Sequence, residues 1–335
     1  MTKRPITGEP AAEMIYVPAG GYGAEPDFEA PVASPNGPML VTKPASWLER
    51  ASDLLAEPDP GPTPFLVEQL IVDEAVAAIY GPAKAGKTWL LLELACAIAS
   101  GRPALGSLAI PKPGPVIVVL EESGRAALWR RLDMLLRGNA QHRDTLHDLH
   151  VAANRRVRLN DEKWQEALLT AGRDLRPRAI FLDPLVRLKG AAVDENQQKE
   201  LGAVLDYMRL LRDESGAAVA FVHHTGHEGT RMRGSSDLAG YWESAVTVKK
   251  GTEGERTIQA EHREAEASPT IVYRADFDPT TNSTRLKVVD GSPRERVTAY
   301  LADHPDASAN EVFEAVGGNR ATVLKLVPEL RPNDA

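Results

Sequence analysis

Val76 to Thr88 reads VAAIYGPAKAGKT: a short apolar run, a glycine-bounded turn, then Lys-Thr. Gly81 and Gly86-Lys87-Thr88 satisfy the spacing G-x-x-x-x-G-K-[ST], and the chemistry of phosphate binding explains each fixed position. Two glycines let the backbone turn its N–H groups inward around an anion. The lysine reaches the β and γ oxygens of a nucleoside triphosphate, and the Thr88 hydroxyl is placed to coordinate Mg²⁺. The stretch that follows, WLLLELACAI from Trp89 to Ile98, is helical in period, so the positive end of a helix faces the same anion. Strand, glycine loop and helix in that order make Gly81, Pro82, Ala83, Lys84, Ala85, Gly86, Lys87, Thr88 and the adjoining Trp89 the candidate nucleotide-binding residues.

Working outward, further apolar runs are continuous rather than alternating: PVIVVL (Pro115 to Leu120), AIFL (Ala179 to Leu182) and AAVAFV (Ala217 to Val222). Leu149 to Ala152 is a candidate intervening strand. Helix-period segments separate these runs, for example Ala126 to Leu136. Such a pattern predicts an α/β fold with a mostly parallel sheet covered on both faces. After Ser244 the period changes. AVTVKK, RTIQAEHR, TIVYRAD and TRLKVVD alternate and are split by turn residues, which predicts an antiparallel extension.

Polar residues close several of these strands. Asp183 ends AIFLD, where an acid holds Mg²⁺. Glu121-Glu122 ends PVIVVL, where a carboxylate orients and deprotonates a water. His223-His224 ends AAVAFV, within reach of a γ-phosphate. In open α/β sheets ligands lie at this carboxyl edge, so the strand ends converge on one site. Either glutamate satisfies the spacing.

Residues 1–46 are rich in Pro and Gly without hydrophobic period, which predicts a flexible arm. The ATP-binding domain is expected over 47–291, and 292–335 reads as three short helices, with Ser308 an N-cap and Glu311 three residues on. The 335 residues carry a formal net charge of −8 and one cysteine, Cys96, inside an apolar helical stretch. One cysteine excludes an internal disulfide and agrees with a reducing cytoplasm. There is no run of eighteen apolar residues and no apolar segment behind MTKRPITGEP, so neither a membrane span nor a secretory signal is expected. The acidic balance restricts any nucleic-acid contact to local loops.

The P-loop GPAKAGKT, VVLEES, AIFLDPLVRLKG followed by DEN, AVAFVHHTG and RMRGSSDLAG together resemble the RecA-like ATPases, nearest to the RepA-type replicative helicases, over about residues 60–290. The resemblance implies a RecA-like P-loop core, ATP and Mg²⁺ as ligands, and Glu121 as the catalytic glutamate with Glu122 in the adjacent acidic position. It also implies Asp183 as the acid on the Mg²⁺ side and His224 as the γ-phosphate sensor. Loops 186–197 and 226–236 would face single-stranded DNA through Arg187, Lys189, Arg231 and Arg233, in a homo-oligomer, a hexameric ring. RecA-like rings complete each site with a basic residue from a neighbouring subunit. The Lys-x-Arg pair used for this reads Glu261-His262-Arg263 here, which leaves Arg263 as the arginine finger. The arginine that the RepA branch places after the RGSS loop has no counterpart in Tyr241-Trp242-Glu243-Ser244.

The terminal helices resemble a helix-turn-helix or winged-helix module, with Asn319, Arg320, Thr322 and Lys325 on the third helix, or else a protein-docking module. A motor on single-stranded DNA, a recombinase-like filament ATPase and a regulatory ATPase acting on a protein partner are the three functions the sequence admits.

Overall fold

The computed structural model describes residues 48–190, 198–225, 241–251, 254–289, 293–316 and 320–331. Two compact units divide the chain, Met1–Pro60 and Gly61–Ala335. The described part of the first holds one short helix, α1 (Ala51–Leu54), with no buried residue.

In the second unit, a small antiparallel pair, β1 (Phe65–Val67) and β2 (Ile71–Val72), precedes the main sheet. The sequence pattern gave no sign of it. The main sheet has nine strands. Five form its parallel body: β3 (Val76–Gly81), β4 (Val116–Leu120), β5 (Leu149–Ala153), β6 (Ala179–Asp183) and β7 (Ala218–His224). β8 (Ser244–Lys250) is parallel to β3, and β9 (Glu255–His262), β10 (Ile271–Asp278) and β11 (Ser283–Val288) continue antiparallel. The order is β11-β10-β9-β8-β3-β7-β6-β4-β5.

Continuous apolar strands form here because both faces are covered. On one face, Ala77, Ile79, Val118, Phe181 and Ala220 pack with α2 (Lys87–Ser100), whose own surface is buried nearly all round. On the other, Val76, Ala78, Val119, Ile180 and Phe221 belong to a second core with α6 (Gln198–Ser215) and α4 (Glu162–Leu175). Each strand thus splits its side chains between two cores, residue by residue.

α3 (Arg125–Gly138) leaves β4 and crosses α2's side of the sheet to reach β11. The approach is close enough that a Cβ on Gly138 would overlap the Thr284 carbonyl. A 3₁₀ turn (Arg143–Leu146) leads into β5, and α5 (Leu185–Leu188) follows β6.

The terminal helices α7 (Pro293–Asp303), α8 (Ala309–Val316) and α9 (Arg320–Leu330) bury Val297, Leu301, Val312, Val323 and Val327 in a core of their own. The capping box forms as the sequence suggests: the Ser308 N–H donates to Glu311 and the Glu311 N–H to the Ser308 hydroxyl. This module meets the sheet through Arg296, which donates to Glu255 at the start of β9 (3.1 Å) and to the Val316 carbonyl (3.0 Å).

Candidate nucleotide site

The P-loop spans the end of β3 and the start of α2. Its geometry demands glycine at both ends. A Cβ on Gly81 would lie 2.1 Å from the Val248 carbonyl oxygen on β8, closer than any side chain tolerates. Gly86 sits at φ +91°, the left-handed region, and a Cβ there would meet the Arg256 Nε at 2.5 Å. Lys84, at φ 62°, takes the same hand within the loop.

Lys87 opens α2. Its ammonium donates to the carbonyls of Gly81 and Pro82, each at 2.8 Å, and lies 3.2 Å from the Nδ1 of His224. Burial lowers its pKa from the ordinary lysine value, against the pull of Asp183 and Glu122. Thr88 follows, its hydroxyl donating to Asp183 at 2.7 Å. Burial raises the Asp183 pKa above the usual carboxylate value; the Thr88 hydrogen bond opposes this, Glu122 adds to it, and Lys87 and Arg131 oppose it. β3 pairs with β7 and β4 with β6 in parallel register, so Gly81 lies opposite His224 and Leu120 opposite Asp183. The carboxyl edge therefore gathers Lys87, Thr88, Asp183, Glu122 and His224 around one loop.

The adjacent glutamates separate cleanly. Glu121 is 9% exposed, and its carboxylate accepts the backbone N–H groups of Arg155 (2.9 Å), Arg156 (2.9 Å) and Val157 (3.1 Å). Those three bonds fasten the loop after β5, whose Asn154 and Arg156 have positive φ. Three of its roughly four lone-pair directions are thereby committed to the backbone of that loop. Glu122 is exposed, and it is the glutamate whose charge acts on both Lys87 and Asp183. Glu121 is expected as the base; the structure gives its carboxylate to the loop after β5 and leaves Glu122 on the side of Lys87 and Asp183, as consecutive side chains at a strand end turn opposite ways.

Other expected residues fall elsewhere. Lys189 is 8% exposed and presents no charge to solvent, whereas Arg187 in the same segment is exposed. Arg231 and Arg233 lie outside the described residues, as does Asn319. Arg320 lies over Phe313 and donates to Asn310. Arg263 is exposed just beyond β9, at the amino edge of the sheet, since His262 pairs with Ser244 and Ser244 with Ala77. At about 3.3 Å per residue, seven residues separate it by roughly 20 Å from Arg256, the strand's P-loop end. Arg263 thus has no access to the P-loop of its own chain.

Arg256 is the residue that sequence reading missed. Its Nε donates to the Ala85 carbonyl at 2.9 Å, pinning the crest of the P-loop from the antiparallel extension. No motif marks it, because only the register of β9 brings it there. Arg131 was likewise unmarked. It donates to Ser123 at 2.8 Å and its guanidinium lies 5.8 Å from the Trp89 ring centroid.

A hydroxyl and a carboxylate oxygen side by side form a donor set suited to a hard divalent cation, which takes its remaining ligands from phosphate and water. Thr88 and Asp183 therefore fit Mg²⁺. Among the described residues no group of three or more His, Cys, Asp or Glu is placed to hold a metal. Cys96 is buried, and burial pushes its thiol up to about 12, so it is inert. Among the described residues no helix is long and apolar enough to cross a membrane.

Fold and site together define a P-loop ATPase core: a glycine loop between strand and helix, a buried lysine, and a threonine–aspartate pair at the carboxyl edge of a parallel sheet. A family model described as an AAA domain matches residues 43–230, more than half of the chain, and the chain belongs to that AAA-domain family.

Proposed function

We propose that this chain is an ATP-hydrolysing motor on single-stranded DNA, of the RepA-type replicative helicase kind, working as a homo-oligomeric ring. One observation carries the reading. His224, in contact with Lys87 at 3.2 Å, closes β7 two residues before loop 226–236, the segment that carries Arg231 and Arg233. A side chain that senses the phosphate end of the site is thereby covalently next to the stretch whose resemblance is to a DNA-facing loop.

In this reading Lys87 and the loop N–H groups hold the triphosphate, and Glu122 orients the water that attacks the γ-phosphorus. Thr88 and Asp183 would hold Mg²⁺, which neutralises charge on the β and γ oxygens. His224 exchanges its contact with Lys87 for one with the γ-phosphate and so reports its presence to the loop. Arg263, out of reach of its own P-loop, is assigned to a neighbouring subunit's site, which motivates the ring, hexameric by the resemblance.

The test is ATP hydrolysis with and without single-stranded DNA, with Lys87→Ala as the blank. Stimulation that weakens as salt rises supports the motor, because phosphate contacts release counterions. Hydrolysis indifferent to DNA would remove it. The net charge of −8 would then favour a regulatory ATPase with a protein partner.

A further inference from the structure

Among the described residues β5 is an edge strand, with β4 on one side and no neighbour on the other. Beside it lies a cleft of about 310 Å³, between β5 and the first turns of α3. The helix supplies Arg125, Leu128, Trp129 and Leu132, spaced i, i+3, i+4 and i+7 and therefore on one face. The strand supplies Val151 and Ala153, two apart and so on one face of the sheet, and the chain runs on through Asn154 and Arg155. A further strand would cover this apolar face. None follows β5 among the described residues, and Trp129 is left 56% exposed and Val151 47%. An exposed apolar patch rimmed by polar groups marks a contact surface.

Two observations point to what covers it. The first is charge. Arg125 and Arg155 frame the cleft, both exposed, and no acid lines it. A third guanidinium, that of Arg143, lies 5.9 Å from the Trp129 ring centroid. In a chain of net charge −8 this is a local positive site, the form of nucleic-acid contact that an acidic balance leaves open. The second is the ring between those charges. An exposed indole flanked by guanidiniums offers one π-face and an anion site on either side, which suits a base with its neighbouring phosphates. An acidic peptide would use the arginines and leave the indole idle.

We propose that this cleft holds single-stranded nucleic acid: a base stacks on Trp129 while the phosphates on either side meet Arg125 and Arg155. Stacking of this kind tolerates any sequence, because every base has a π-face, and guanidiniums follow the backbone by charge alone. The proposal rests on the motor reading for the nature of the strand, and adds a contact on the flank of the sheet, apart from loops 186–197 and 226–236. It also gives the strand a route to the catalytic edge other than His224. The N–H of Arg155 donates to Glu121 at 2.9 Å, and that of Asn154 to the Leu120 carbonyl at 2.7 Å. A strand gripped by Arg155 therefore bears on the end of β4, one residue before Glu122, whose charge acts on Lys87 and Asp183.

The test is fluorescence anisotropy of labelled oligothymidylate binding to the full chain with Mg²⁺–ATP, over a salt series. The proteins are wild type, Trp129→Ala, Trp129→Phe and the double variant Arg125→Gln, Arg155→Gln. Trp129→Ala should lose about tenfold in affinity, and Trp129→Phe, which keeps a stacking face, should recover most of it. The double arginine variant should lower the slope of log K against log salt by about 1.4, at roughly 0.7 per phosphate contact on a single strand. Melting temperatures should stay within about 2 °C of wild type, because these side chains are exposed. Wild-type affinity in Trp129→Ala, or an unchanged salt slope in the arginine variant, would overturn the cleft and leave the motor reading standing. Displacement of the labelled strand by polyglutamate as readily as by unlabelled oligothymidylate would also overturn it, in favour of an acidic protein partner. No binding by wild type would remove both readings at once.

Discussion

Changing Glu121 and Glu122 to glutamine, one at a time, makes the same chemical substitution at adjacent positions and should give opposite phenotypes. Glu121 accepts three backbone N–H groups, and Val157, one of the donors, is 1% exposed. Glu121→Gln removes one acceptor oxygen and sets an NH₂ group against N–H donors. Hydrogen bonds to a charged group contribute about 1.5–3 kcal/mol. The N–H groups of Arg155 and Arg156 lie nearer solvent and recover part of their loss from water, so the total cost is about 3 kcal/mol. In a unit of this size each kcal/mol moves the melting point about 2–4 °C, giving a fall of about 6–12 °C. Hydrolysis should survive well below that transition. Glu122→Gln, at an exposed position, should stay within about 0.5 kcal/mol of wild-type stability. Its hydrolysis should fall by about 10²–10⁴-fold with nucleotide still bound. Differential scanning calorimetry and a phosphate-release assay on the same preparations read both quantities. A Glu121→Gln protein that melts like wild type, or a Glu122→Gln protein that hydrolyses like wild type, would refute the assignment.

Two other outcomes follow from the site. The folded-state pKa of Asp183 is raised chiefly by burial, so the folded chain holds this proton more tightly than the unfolded one, and stability falls as pH climbs through the raised value. Asp183→Asn should therefore raise the melting temperature of the nucleotide-free protein at pH 7 by a few degrees while abolishing Mg²⁺-dependent hydrolysis; an unchanged or lower melting temperature would contradict the burial argument. Gly81→Ala would drive a methyl group into the Val248 carbonyl, prising β3 from β8, and should cost about 3 kcal/mol in urea denaturation; a neutral variant would show that the two strands part freely.

Most of the parallel strands were legible because each is a short continuous apolar run bounded by turns, and the P-loop because its chemistry fixes residue types at fixed spacing. Asp183 and His224 could be placed since strand ends of a parallel sheet share an edge. The spatial order of the strands was not legible: nothing local to β6 says that it lies between β4 and β7. The same holds for Arg256, which reaches Ala85 across 171 positions of sequence only through the register of β9. The choice between Glu121 and Glu122 depended on which way a strand end turns, and the deciding partners, Arg155 to Val157, lie on another strand's loop. Lys189 read as an exposed loop cation because sequence gives its charge and not its burial.

Arg256 and Glu255 are consecutive, and they face different masters. One holds the crest of the P-loop; the other, 13% exposed, holds Arg296, itself 11% exposed and tied on to the end of α8. The terminal helices are consequently not carried on a slack leash: their bearing is set by the same peptide unit that braces the phosphate loop.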